Sequence, residues 1–167
     1  MISQTLEYAL RASLHLAGHE GVPQTTQQIA LAIQMPAAFL SKVLQSLGRA
    51  GLVQSQRGLR GGYVLARSPA ELTILEIAQV VDPLKRIHAC PLGRAEHAIG
   101  LCPLHRRLDN VLALAEESFR KTTLAELLQE GQGAVSALGC PFPCVSQSHV
   151  AANNSLTGVA VVEQVSS

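Results

Sequence analysis

The chain has 167 residues, enough for one domain with extensions, and its 47% hydrophobic and 15% charged residues exclude whole-chain disorder. Aromatic residues are only 3% and tryptophan is absent, so the core must be built from Leu, Ile, Val and Ala, a palette that suits helices better than a β-sandwich. The net charge of +1 conceals an asymmetry: residues 1–67 hold six basic groups against two acidic ones, whereas residues 131–167 hold only Glu163. A basic first half fits a polyanionic partner, although a solvated surface accounts for a modest excess equally well.

Helix 1 is predicted over residues 2–18, where Ile2, Leu6, Ala9, Leu10, Leu14 and Ala17 recur at helical spacing before Gly18, Gly21 and Pro23. Thr25 and Gln28 have the form of a capping box, so a short second helix is predicted over about 26–34. Met35 marks a corner, and Pro36 suits the start of a third helix whose apolar face is Leu40, Val43, Leu44 and Leu47. Gly51 closes that helix where a left-handed residue is wanted. Two strands follow, Leu52–Gln56 and Tyr63–Ala66, joined by the basic, glycine-rich tip Arg57-Gly58-Leu59-Arg60-Gly61-Gly62. Thr73 and Glu76 cap a helix over 72–81. Residues 83–102 read as a loop, and a long helix runs from about Pro103 to Lys121 with an apolar stripe of Leu104, Leu108, Val111, Leu112, Ala115 and Phe119. A short helix, Leu124–Gln129, comes next, and residues 131–167 read as a largely disordered tail.

No apolar run reaches the roughly 18–20 residues of a membrane span, and the first residues lack the basic segment of a secretion signal. A cytoplasmic location without membrane attachment is therefore expected. The four cysteines are then read as thiols or metal ligands rather than structural disulfides. No phosphate loop and no thioredoxin-like βαβ frame is present, and no enzymatic activity is expected.

Helix, helix, corner, helix and basic hairpin is the order of a winged helix-turn-helix, which makes the fold class mainly α with a small β-wing, plus a long dimerisation helix. A major groove about 12 Å wide admits one helix if its outer residues are small or polar. Ala37, Ala38, Ser41 and Lys42 meet that demand, while Arg57 and Arg60 supply cations and Gly61 and Gly62 a close fit. The long apolar stripe on 103–121 suggests a dimer, which would present two such faces to two half-sites one or two helical turns apart. The domains are then 1–82 for DNA binding, 83–102 as a Cys/His sensor loop, 103–130 for dimerisation with a short terminal helix, and 131–167 as tail.

Cys90, His97, Cys102 and His105 lie within sixteen residues. Two cysteines and two histidines can hold zinc, or a 2Fe–2S cluster with mixed ligation, and with no metal the cysteines could form a thiol redox switch or be inert. Cys140 and Cys144 form a second pair, read as a bystander within the tail.

The stretches Phe39–Leu47, Ala50–Val53 and Arg57–Ala66, together with Glu7-Tyr8-Ala9-Leu10 and Thr123-Leu124-Ala125-Glu126-Leu127, resemble the Rrf2 family of bacterial winged-helix regulators over about residues 1–130. The resemblance implies a homodimer, held by the helix 103–121, that binds an inverted-repeat operator in double-stranded DNA, most often as a repressor. It places Arg57 at the wing position that enters the minor groove and Ser41 at a base-selecting position. The implied DNA face comprises Thr26, Gln27, Ala38, Phe39, Ser41, Lys42, Arg49, Arg57, Arg60, Gly61 and Gly62. The family's iron–sulfur members carry three loop cysteines and a variable fourth ligand. Cys90 matches the first cysteine, and Cys102 with His105 matches a Cys-x-x-His pair. The middle cysteine is missing, with His97 near its place, and Glu7 matches a carboxylate that some members contribute from the other subunit. The resemblance thus implies a 2Fe–2S cluster that controls operator affinity. Zinc or no metal remain as alternatives, the latter leaving a repressor controlled by thiol oxidation, a metabolite or a partner protein.

Overall fold

The structure is a computed structural model that describes residues 2–58, 60–89 and 101–138, the last seven of these as helix backbone only. Ser3 caps α1 (Gln4–Ala17) by accepting the Leu6 amide at 3.2 Å. α2 (Thr26–Ala32) begins at the predicted capping box, with the Gln28 amide donating to Thr25 Oγ1 and the Thr25 amide to Gln28 Oε1. α3 (Ala37–Arg49) starts immediately after Pro36, and Gly51 follows it at φ +73°, the left-handed conformation that favours glycine. Strands β1 (Val53–Gln56) and β2 (Gly62–Leu65) pair antiparallel, with Val53 opposite Leu65 and Gln56 opposite Gly62. α4 (Ile74–Val81), α5 (Pro103–Lys121) and α6 (Leu124–Leu138) complete the chain.

α1 is the hub of the core. Leu6, Ala9, Ala12 and Leu16 are fully enclosed, and α1 packs against α2, α3, α4, α6 and β2. The two alanines let neighbouring backbones come close, and Leu40, Leu44 and Leu47 of α3 and Ile77 of α4 fill the remaining space. The buried face of α1 is rotated from the predicted one. Ile2 is exposed and Leu10 and Leu14 are only partly buried, while Ala12 and Leu16 take inner positions.

Two further corrections concern element ends. α2 stops at Ala32 because Gln34 adopts φ +54°, which breaks the right-handed helix two residues before Pro36. α6 continues to Leu138, past the expected boundary at residue 130, so the segment 131–138 is helical and not tail. A glycine such as Gly131 weakens a helix by only about 1 kcal/mol relative to alanine, too little to end it here. α6 is already anchored by a Thr123/Glu126 capping box and by the fully buried Leu124. Residues 139–167, with Cys140 and Cys144, lie outside the described residues. Among the described residues no single helix is long and apolar enough to cross a membrane.

Candidate nucleic-acid interface

α2 and α3 meet at 114°, the geometry of a helix-turn-helix. The corner is closed by the Met35 amide donating to Ala30 O at 2.9 Å and by burial of the Met35 side chain. With Leu40, Val43, Leu44 and Leu47 turned into the core, the outer side of α3 is left to Ala38, Lys42, Gln45 and Arg49, all exposed. Their spacing of four, three and four residues makes one stripe along the helix. Thr26 and the exposed Gln27 sit on the first turn of α2.

Ser41 is partly buried, and its hydroxyl donates to Ala37 O at 3.0 Å. In this rotamer its proton is used by the helix, and only its lone pairs face outward. Phe39 sits at the rim, edge-on to Tyr8 of α1 with ring centroids 5.7 Å apart, and so ties the reading helix to the core.

The wing stands beside α3. A cleft of about 540 Å³ lies between them, lined by Gln45, Arg49, Gln54, Ser55 and Tyr63 among others. Backbone bonds between Gln24 and Tyr63, at 3.0 and 2.8 Å, fasten β2 to the residue that precedes the α2 cap. Arg57 and Arg60 are both exposed at the tip, where Gly58 takes φ +121°. The close fit expected of the tip glycines turns out to be required by the chain itself. A Cβ at Gly61 would stand 2.4 Å from Gln56 O, and one at Gly62 would stand 2.5 Å from Gln24 O. Lys42, Arg49, Arg57 and Arg60 form no ion pair with any described residue. An outward stripe of cations with no carboxylate to neutralise it is the electrostatic requirement for a phosphate backbone.

Cys102 is the N-cap residue of α5, and its Sγ lies 3.2 Å from His105 Nδ1. Cys90 and His97 lie outside the described residues, and among the described ones no cluster of three or more metal-ligating side chains forms. Glu7 is exposed on α1 and paired with Arg11.

One arrangement has no counterpart in the sequence reading. Arg86, in the connector after α4, makes a two-pronged contact with Asp109 of α5, Nε and Nη2 each 2.7 Å from a carboxylate oxygen. The Ile87 amide donates to the same carboxylate at 2.9 Å, and Arg86 Nη1 reaches Glu116 at 3.4 Å. These hydrogen bonds, those from Arg86 first, hold the Asp109 carboxyl down at about 2, and Asp109 in turn raises Arg86. The carboxylate is therefore held in its charged, hydrogen-bonding form well below the usual carboxylate range. Its only trace in the sequence is the seven-residue interval between Asp109 and Glu116, which puts both on one face of α5.

Comparison with known proteins agrees with this geometry. Residues 2–130 match the Rrf2 family, described as "Iron-dependent Transcriptional regulator". The HTH-type transcriptional regulator NsrR of Geobacillus kaustophilus is 29% identical over 127 residues, covering 74% of this chain and 86% of NsrR. The solved structure of T. potens IscR superposes with a TM-score of 0.69 at 27% identity, covering 83% of this chain and 93% of IscR. CymR, the global cysteine regulator of B. subtilis, superposes with a TM-score of 0.65 at 26% identity, covering 78% of this chain and 97% of CymR. The chain belongs to the Rrf2 family and is a DNA-binding transcriptional regulator of winged-helix fold, not an enzyme.

Proposed function

We propose that the protein works as a homodimer on an inverted-repeat operator, as a repressor, and that the Cys102–His105 end of α5 is its sensor. The observation that carries the dimer is α5 itself. This 19-residue helix has no buried residue, and Leu104, Leu108, Val111 and Leu114 are 48–72% exposed. An apolar stripe of that size on one helix marks a contact with another surface, and a second copy offers the same stripe in return. Pairing two α5 helices would bring two cationic faces to one duplex, in cytoplasm, where the operator is. Lys42 and Arg49 on α3 and Arg57 and Arg60 on the wing then neutralise phosphates or enter the minor groove. Ala38 and Ser41 face base edges, Phe39 and the α2 start (Thr26, Gln27) flank them, and Gly61 and Gly62 hold the tip in shape.

The sulfur-to-nitrogen distance of 3.2 Å is a hydrogen-bond separation, about 0.3 Å shorter than two neighbouring corners of a tetrahedral metal site, so a small opening of the pair would let both act as ligands. Cys102 and His105 would hold a 2Fe–2S cluster together with Cys90 and His97, with Glu7 of the other copy as a further candidate. Such a group, when bound, supplies a redox- and acid-sensitive bond network at the head of α5. What the chain contributes is the leverage: Cys102 stands at the N-cap position immediately before the first turn of α5, so a change in its bonding acts at the head of that helix.

Anaerobic reconstitution of the full chain with iron and sulfide tests this reading. The expected result is a visible absorption band, equimolar iron and acid-labile sulfide, and a changed affinity for operator DNA. A colourless protein that binds zinc, or no metal, at Cys102 and His105 would leave the thiol-controlled repressor as the reading instead. A monomer by analytical ultracentrifugation would refute the dimer.

A further inference from the structure

Besides packing on α4, with Phe119 against the core, α5 is hydrogen-bonded to the DNA-binding unit at two places. Near its C-terminal end the join is made by backbone: the Ile74 amide donates to Thr122 O at 3.0 Å, the Leu124 amide donates to Leu72 O at 2.9 Å, and Thr73 bridges Thr123. The second join is the Arg86 contact with Asp109 and Glu116, reinforced by the Ile87 amide. Thirteen residues separate Asp109 from Thr122, a lever of about 20 Å at 1.5 Å per residue. The backbone join and Phe119 hold the C-terminal part of α5, and the Arg86 contact, farther along the helix, adds a second point that fixes its tilt. The guanidinium is suited to that task because two parallel bonds to a carboxylate specify direction as well as distance. Four connector residues, Asp82 to Lys85, link α4 to Arg86, and α4 packs on α1 and α3, so the Arg86 contact ties α5 to the body that carries α3 through that short connector. The exposed apolar residues Leu104, Leu108 and Val111 lie on the part of α5 that extends toward and beyond the clamp.

We infer that Arg86 is a positioning residue: by clamping the connector after α4 to Asp109 and Glu116 it sets the tilt of α5 against the reading helix, and so the distance between the two reading helices of a dimer. This rests on the dimeric reading proposed above. Arg86 touches no base or phosphate in this role. Its effect falls on half-site spacing and not on the contacts within one half-site.

The test compares wild type, Arg86→Gln, Asp109→Asn and the double variant on a series of duplexes. Each duplex carries two half-sites, obtained by selection with the wild-type protein, and the spacer between them is lengthened or shortened by one and two base pairs. Wild type should lose at least tenfold in affinity with a two-base-pair change, whereas either variant should lose less than about threefold. Affinity for a single half-site should be unchanged in all four proteins. The double variant should lose no more than the larger of the two singles, because both variants break the same Arg86–Asp109 contact. Arg86→Lys, which keeps the charge but not the two-pronged geometry, should fall between wild type and Arg86→Gln. Hydrogen exchange without DNA gives a second readout, with the Ile87 amide expected to lose protection in Arg86→Gln while α3 and α4 keep theirs. Wild-type spacing selectivity retained by Arg86→Gln would overturn this inference alone. A wild-type protein with no spacing selectivity would overturn the two-headed reading and this inference together.

Discussion

The DNA-binding unit buries a core of Leu, Ile and Ala residues within one chain, from Leu6 to Ala78, whereas α5, later in the same chain, buries none of its own. The charges divide in a parallel way. On the reading face Lys42, Arg49, Arg57 and Arg60 have no acidic partner among the described residues, while Arg86, Arg120 and Lys121 near α5 each pair with carboxylates of that helix. The contrast teaches that the two regions present different unmet needs. The reading face lacks counter-charge, which a polyanion supplies. α5 pairs Asp109, Glu116, Glu117, Arg120 and Lys121, leaves Arg106 and Arg107 outside any ion pair among the described residues, and lacks an apolar cover, which a second α5 would supply.

Placing a carboxylate in the apolar stripe should break this contrast most severely. Burial of a leucine is worth about 2 kcal/mol, and a symmetric interface loses it twice. Leu108→Glu should therefore weaken dimerisation by about a thousandfold or more while leaving the helical content of the DNA-binding unit intact. Sedimentation equilibrium with circular dichroism checks both. An unchanged dimer would show that α5 is covered by something else.

Gly62→Ala should have the next largest effect, and it acts on the self-contained region. The new methyl would meet the Gln24 backbone at 2.5 Å, and that backbone holds Tyr63 in place. A loss of about 2 kcal/mol in urea denaturation is expected, with dimerisation unaffected. Wild-type stability would mean that the wing is not fastened to the start of α2.

The smallest effect sharpens the comparison by pH. Burial, and then the neighbouring His19, lower the pKa of His15 from 6.5, partly offset by the Gln24 side chain. The unfolded chain therefore takes up a proton at His15 before the folded chain does, and stability falls as pH drops through about 6.5. His15→Gln should flatten the acid side of the stability profile. Asp109, by contrast, is held below the usual carboxylate range by Arg86 and the Ile87 amide, so α5 should hold its tilt while the His15 effect develops. A profile unaltered by His15→Gln would show that the buried imidazole carries no such load.

Much of this architecture was legible because it is local. The capping boxes at Thr25 and Thr73, Pro36 ahead of α3, Gly51 behind it and the paired strands about a basic tip are all short-range signals, and each element appears where they point. The inner face of α1 was harder to read, because a helix rich in both Leu and Ala offers more than one apolar stripe, and the choice is made by packing against α3 and α4. The tip glycines were legible as residues but not in their role. Gly62 answers to Gln24, which is distant in sequence and meets the wing only after folding. The Arg86 clamp was out of reach for the same reason, since its partners lie 23 and 30 residues away with no periodic signal between them. Of the donor set, Cys102 and His105 are one turn apart and their meeting follows from helix geometry. Cys90 and His97 have no such local rule to place them.

Salt dependence of binding to duplex DNA tests most directly the claim that the uncompensated cations of α3 and the wing meet phosphates. For wild-type dimer, log K plotted against log salt should fall steeply, and Arg57→Ala or Arg60→Ala should each make the slope shallower by about two, one for each copy. A slope that neither substitution changes would contradict the account, because the wing would then lie away from the nucleic acid.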